Sequence, residues 1–285
     1  MQSWVSFGHV GNAAALFALQ RLGAEVRAVH TVQFSNHTGY GTWTGETFTS
    51  TSVRALLHGI GERGALIDLD AVLSGYLGDP DVGRAILDTV AETRARGRPE
   101  LLYCCDPVMG DAGRGLFVRA GIPALLHDDA VPASDILTPN QFELERLTGL
   151  SCERQADLLV AVRHLQDRMR STGPRLVLVT SVRNDTTPAA SSEMIAASPA
   201  ETYLLRTPTL AFAPDGAGDL IAALFLFHVL TSRDLRAALE AAASATWGVL
   251  EHTLRAGARE LCLVAAQQQL VTPTRRFVAE PLHMT

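Results

Sequence analysis

The stretch PDGAGDLIAALF, residues 214–225, sets Asp215, Gly216, Gly218 and Asp219 directly before an apolar run with helical spacing. Backbone N–H groups at a helix start point outward, and glycine lets an anion approach them closely. A carboxylate one turn inside would repel a phosphate unless it has a second task. Taking the proton from a hydroxyl that attacks phosphorus is such a task. Phosphoryl transfer asks little else of a protein: in-line positioning, a base, Mg2+ and donors for the spreading charge. The plainer reading is a helix N-terminus capped by Asp215, a common arrangement. Taken alone, the stretch leaves both readings open.

Two more stretches bear on the choice. Asp106-Pro107-Val108-Met109-Gly110-Asp111 puts carboxylates at the end of an apolar run, suited to water-mediated contacts with Mg2+. Thr138-Pro139-Asn140-Gln141-Phe142-Glu143 follows the next run with an amide and an acid at three-residue spacing. Each has a bland explanation: Asp106 and Thr138 end strands, and Glu143 is a first-turn helix acid. One Mg-nucleotide site accounts for all three stretches at once. His9 and His37 lie in glycine-rich loops and fit either a structural or a ligand-contacting role.

These stretches need a scaffold, and the hydrophobic pattern supplies one. Strands are expected at 25–31, 70–75, 101–106, 134–138 and 175–181, with a hairpin over 192–206. Helices are expected at 12–22, 50–62, 81–97, 140–148 and 153–172, then at 217–231 and 234–256. Strand–helix alternation of this kind predicts an α/β fold with a parallel sheet covered on both faces. The polar, glycine-rich stretches FSNHTGYGTWTG, GYLGD, DPVMGDAGRG and PNQFE each follow a strand, which puts them on one face of the sheet. No repeat or linker divides residues 1–285, so a single domain is expected.

Composition narrows the chemistry further. All 24 basic residues are arginine. Without lysine the chain has no P-loop and no side-chain Schiff base, which excludes class I aldolase and pyridoxal-phosphate transaminase mechanisms. A net charge of −6 argues against a nucleic-acid surface. No apolar run reaches the ~18 residues of a membrane span, and no signal peptide is read at the start. Cys104, Cys105, Cys152 and Cys262 form neither C-x-x-C nor a secreted framework, which predicts reduced thiols in a cytoplasmic protein. The run G-I-G-E-R-G at 59–64 matches the dinucleotide fingerprint formally but follows a helical pattern, so it reads as a helix end and turn. No G-x-S-x-G, H-E-x-x-H or EF-hand spacing occurs.

In order along nearly the whole chain, QSWVSFGHVGN, TVQFSNHTGYG, LSGYLG, CDPVMGDAGRG, DILTPNQFELE, VLVTS and DGAGDLIAALF resemble the pyridoxal kinases of the ribokinase-like superfamily. The resemblance implies the ribokinase-like three-layer fold, a mostly parallel central sheet with helices on both faces. It implies ATP-dependent phosphorylation of the 5′-hydroxyl of pyridoxal, with pyridoxine and pyridoxamine as further acceptors that the sequence does not rank. Gly216, Ala217 and Gly218 match the family's anion hole and Asp219 its base. Ser3, Thr38 and Tyr76 match its pyridoxal contacts. Asp106, Thr138, Asn140, Glu143, Thr180 and Ser181 match its ATP and metal contacts, with Thr207, Pro208, Thr209 and Leu210 beside the adenine. Asp106, Asp111 and Glu143 are the carboxylates expected to serve Mg2+; a monovalent cation is left open. Homodimers are usual in the family.

The chain departs from that pattern in three places. Gln2-Ser3 follow Met1 directly, where the family's first strand normally precedes the pair, so either the natural start is not Met1 or the sheet is short at that edge. Phe7 stands where Tyr is frequent, and Thr180-Ser181 where some bacterial members carry Lys. Two other functions compete. Hydroxymethylpyrimidine kinases of thiamine synthesis resemble the chain but typically carry Cys at the position of Asp219 and lack FSNHTGYG. A non-catalytic vitamin-B6-binding protein would have little use for an intact DGAGD and TPNQFE.

Overall fold

The computed structural model describes residues 1–211 and 214–282. Its strands are β1 (Gln2–Phe7), β2 (His30–Asn36), β3 (Gly45–Thr47), β4 (Ala71–Ser74), β5 (Leu102–Cys105), β6 (Gly110–Asp111), β7 (Gly115–Leu116), β8 (Ile136–Leu137), β9 (Leu176–Val182), β10 (Ser191–Ala197), β11 (Thr202–Pro208) and β12 (Glu280–Pro281). Its helices are α1 (Asn12–Arg21), α2 (Ser50–Gly61), α3 (Pro80–Ala95), α4 (Ile122–Leu125), α5 (Val131–Ala133), α6 (Gln141–Thr148), α7 (Gln155–Arg168), α8 (Ala217–Ser232), α9 (Leu235–Arg255) and α10 (Gln267–Val271).

Seven strands form one sheet in the order β12-β11-β10-β9-β8-β5-β4, and β1-β2-β3 form a second. The Met1 amine donates to Leu73 O at 2.6 Å and Gly75 N to Met1 O at 3.2 Å, so the small sheet abuts β4. Pairing is parallel through the centre, from β4 to β9 and between β1 and β2. It turns antiparallel at the margins, where the β9–β10–β11–β12 meander and β3 lie.

Each central strand feeds two cores, because successive side chains leave opposite faces. Tyr103, Cys105, Leu137, Val177, Val179 and Ile195 join one core with α2, α3, α6 and α7. Cys104, Ile136, Leu176, Leu178 and Ala196 join the other with α1, α8 and α9. Helices therefore cover both faces, giving three layers. The two-residue strand β8 is fixed by Asp135, fully buried before it, which accepts from the Tyr103 amide at 2.7 Å and from Arg94 and Arg170 at 2.6 and 2.7 Å.

Most expected elements stand within a few residues of their sequence positions, with two corrections. The first strand is not missing: β1 is Gln2–Phe7 itself, so Ser3 sits on a strand paired with β2. The segment hides its strand character because a polar Ser3 alternates with Val5 on the side that meets the cleft. The strand expected at 25–31 runs instead over His30–Asn36, the polar stretch that leads into the loop of His37 and Thr38. The run at 59–64 is indeed a helix end: α2 finishes at Gly61 and Glu62 is its C-cap.

Candidate active site

The loops after β1, β2, β4, β5 and β8 converge with β9 and the N-terminus of α8 on one cavity of about 180 Å³. It brings together Ser3, Thr38 and Tyr76 with Asp106, Asp111, Thr138, Asn140, Glu143 and Thr180, and with Gly216, Gly218 and Asp219. Ala217, Ser181 and Thr207–Leu210 are not among its lining residues. Thr207 is buried, the Pro208 carbonyl accepts from Trp247 Nε1 at 3.1 Å, and Leu210 packs on the α8–α9 core.

The glycine turn has two different jobs. Gly216 is the N-cap of α8 with φ 93°, and a Cβ there would strike the His9 carbonyl oxygen. At Gly218 an added Cβ would meet nothing within 4 Å, so that glycine keeps the space over the helix start open. The first helical bond runs from Leu220 N to Gly216 O at 3.0 Å, and among the described residues the amides of Ala217 and Gly218 have no backbone partner and are left for a ligand.

Asp219 lies in that first turn. Burial in the cleft raises its carboxyl to about pKa 6, while the Gly11 amide, His37 and its own helix amide pull downward. The macrodipole alone would have predicted a depressed value; desolvation outweighs it here. The group still ionises before neutral pH, the range a general base needs. Gly11 is a residue the sequence motifs did not single out. It is the N-cap of α1 at φ 56°, and a Cβ would strike Ser3, so only glycine brings that amide against β1.

Asp106 and Glu143 are nearly fully buried. Burial pushes Asp106 well up, with Glu143 and Asp219 adding repulsion, and Thr138 Oγ1 donates to it at 3.0 Å. Burial also raises Glu143, to about 7, against the pull of three backbone amides. Glu143 closes a capping box with Asn140, whose Nδ2 also donates to Gly110 O at 2.9 Å. Among the described residues no three His, Cys, Asp or Glu side chains converge on one point. A cation between Asp106 and Glu143 would complete its shell with phosphate oxygens and water, the habit of Mg2+. Two buried carboxylates with no neighbouring cation among the described residues fit that demand. Asp111 fits it less well: Arg114 Nε takes one oxygen at 2.7 Å, and the amides of Gly113 and Arg114 take the other.

Asp215 is not a cap. Its Oδ2 lies 2.9 Å from His37 Nδ1 and its Oδ1 3.2 Å from Arg114 Nη1. His37 and Arg114 hold its carboxyl below the usual range. His37 Nδ1 also faces the Gly39 amide at 3.1 Å, so it donates to Asp215 when it carries a hydrogen and accepts from Gly39 when it does not. Ser181, in the left-handed region at φ 55°, sits in a bulge where β9 slips against β10. The bulge turns Ser181 to solvent and leaves Thr180 at the cavity, where Thr180 N donates to Pro139 O at 3.0 Å.

The family described as phosphomethylpyrimidine kinase matches residues 46–263. A pyridoxal kinase PdxY of Granulibacter bethesdensis is 56% identical, covering 98% of both chains. One of Deinococcus radiodurans is 51% identical over 98% of this chain and 94% of its own. A pyridoxal kinase of Leishmania donovani, solved with ADP and pyridoxamine, superposes with a TM-score of 0.88 at 27% identity over 99% of this chain and 97% of that one. Fold and site thus define a small-molecule kinase of the ribokinase-like class. Within that class, the chain belongs to the pyridoxal kinase family.

Proposed function

We propose that the chain transfers the γ-phosphoryl group of ATP to the 5′-hydroxyl of pyridoxal. The observation that carries this reading is the position of Asp219. It stands at the free amides of α8, in one cavity with Ser3, Thr38 and Tyr76 and with Asp106, Glu143 and Thr180. Asp219 accepts the hydroxyl proton as the oxygen attacks phosphorus. The Gly216–Gly218 turn, through the amides of Ala217 and Gly218, holds the equatorial oxygens as their charge spreads, and Gly218 leaves room for them. Mg2+ held by Asp106 and Glu143 would neutralise charge on the phosphate oxygens. Thr138 and Asn140 orient those carboxylates, Thr138 by its bond to Asp106 and Asn140 through the capping box. Thr207–Leu210 are assigned to the adenine, and Ser181 to the nucleotide, by family resemblance.

The description of the matching family raises the second reading, hydroxymethylpyrimidine kinase, which the pyridoxal kinase relatives do not favour; that match begins at residue 46 and leaves out Ser3 and Thr38. ATP consumption with pyridoxal and with hydroxymethylpyrimidine, side by side, separates the two. Turnover confined to the pyrimidine would overturn the proposal, and turnover of neither would favour a binding protein. A cytoplasmic homodimer completes the reading, supported by the family resemblance and by free, mostly buried thiols; sedimentation gives the oligomeric state directly.

A further inference from the structure

The cavity has an uneven charge balance. Asp106, Asp111, Glu143, Asp215 and Asp219 line it, against two basic side chains, Arg114 and His37. A polyphosphate entering it adds further negative charge. Of the two basic groups, only arginine is a permanent cation.

Arg114 occupies the turn between β6 and β7 and is about half exposed. Its Nε bonds Asp111 at 2.7 Å, its Nη1 reaches Asp215 at 3.2 Å, and its Cζ stands 5.0 Å from the Phe117 ring centroid. Asp215 directly precedes the Gly216–Gly218 turn whose amides are free. The guanidinium is therefore tethered to the residue next to the anion turn by a long, single, partly solvated contact. Such a contact is cheaply exchanged. A phosphate oxygen offers the same fork a stronger, charge-assisted partner.

We propose that Arg114 is a further catalytic residue, which leaves Asp215 for the transferring phosphoryl group once nucleotide is bound. Asp111 keeps the guanidinium aimed through Nε while Nη1 changes partner. Asp215 holds the group in place beforehand and competes with phosphate for it. No covalent bond is made or broken by Arg114; it stabilises charge as the phosphoryl group moves from ATP to the hydroxyl oxygen and ADP leaves. The proposal rests on the ATP-dependent reading given above.

Calorimetry with ATP and AMP, alongside turnover of pyridoxal, tests it on Arg114→Gln, Arg114→Lys and Asp215→Asn. Arg114→Gln should weaken ATP by roughly tenfold or more, the fold-change of one charge-assisted bond, and leave AMP affinity unchanged. Its kcat should fall by about 10²-fold, the usual effect of losing one such donor, with the pyridoxal KM little moved. Arg114→Lys should recover part of the loss. Asp215→Asn should shift ATP affinity the opposite way, to tighter binding, because a competitor is gone. Arg84→Gln, in the exposed Arg84–Asp81 pair, serves as the unaffected control. Equal losses in Arg114→Gln and Asp215→Asn would make the pair a structural tie and overturn the proposal, as would unchanged ATP affinity in Arg114→Gln. Wild-type protein that binds no ATP would instead overturn the functional reading beneath it.

Discussion

Glu143 Oε1 accepts the Met109 amide at 2.9 Å, so a single carboxylate ties the loop after β5 to the start of α6. Its other oxygen accepts the Asn140 amide at 2.9 Å and completes the capping box. The proposed metal carboxylate is thus also a structural clasp, and both roles favour its ionised form while its burial opposes it.

Glu143→Gln retains an acceptor oxygen for the loop but removes the charge. Because burial lifts the wild-type carboxyl from 4.5 to about 7, the ligand-free fold favours its protonated form. The sign follows: wild-type stability is lost as pH rises from about 4.5 through 7. The melting temperature of Glu143→Gln should therefore gain on wild type across that window. Its affinity for Mg-ATP should drop. Parallel melting curves at pH 4.5 and 8 would contradict this.

Asp219→Asn preserves shape and removes basicity, so kcat should fall by roughly 10²–10⁴-fold. Burial places the wild-type acid limb of kcat/KM near pH 6, with activity lost below it as the base takes up a proton. An acid limb near pH 4, or retained turnover in Asp219→Asn, would remove Asp219 from the role of base.

The two glycines of the turn should part company on substitution. Gly216→Ala forces a Cβ onto the His9 carbonyl at a positive φ and should lower the melting temperature by several degrees. Gly218→Ala meets no protein atom, so it should melt like wild type while weakening ATP and kcat. If both variants merely destabilise, the free amides of α8 are not a phosphate site.

Gly61 offers a control for the dinucleotide-like run at 59–64. A Cβ there stands 3.3 Å from Leu66 Cδ1, at the end of α2 and outside the cavity. Gly61→Ala should change stability and leave the dissociation constant of ATP untouched.

Much of this arrangement is legible in the sequence because helix periodicity and the loops after strands are local signals. The strand–helix order and the convergence of TPNQFE, DPVMGD and DGAGD follow from them. Three features escape because each depends on a distant partner. β1 reads as polar since Ser3 faces the cleft rather than water. Gly11 matters only through its approach to Ser3. Asp215 resembles a cap by position, yet its partners His37 and Arg114 lie far away in sequence. The pKa of Asp219 is likewise set by how deeply the fold encloses it.

Cys104 and Cys105 are adjacent in sequence but lie on opposite faces of β5, each sealed in a different core. Burial pushes the Cys105 thiol up to about 12 and Cys104 well above its usual value, so neither is a ready thiolate. A reagent reaches one thiol only by opening the α2–α3–α6–α7 layer, and the other only by opening the α1–α8–α9 layer. The pair is therefore a built-in two-channel clock: the separate labelling rates of two neighbouring residues time how independently the two helical layers come away from the sheet.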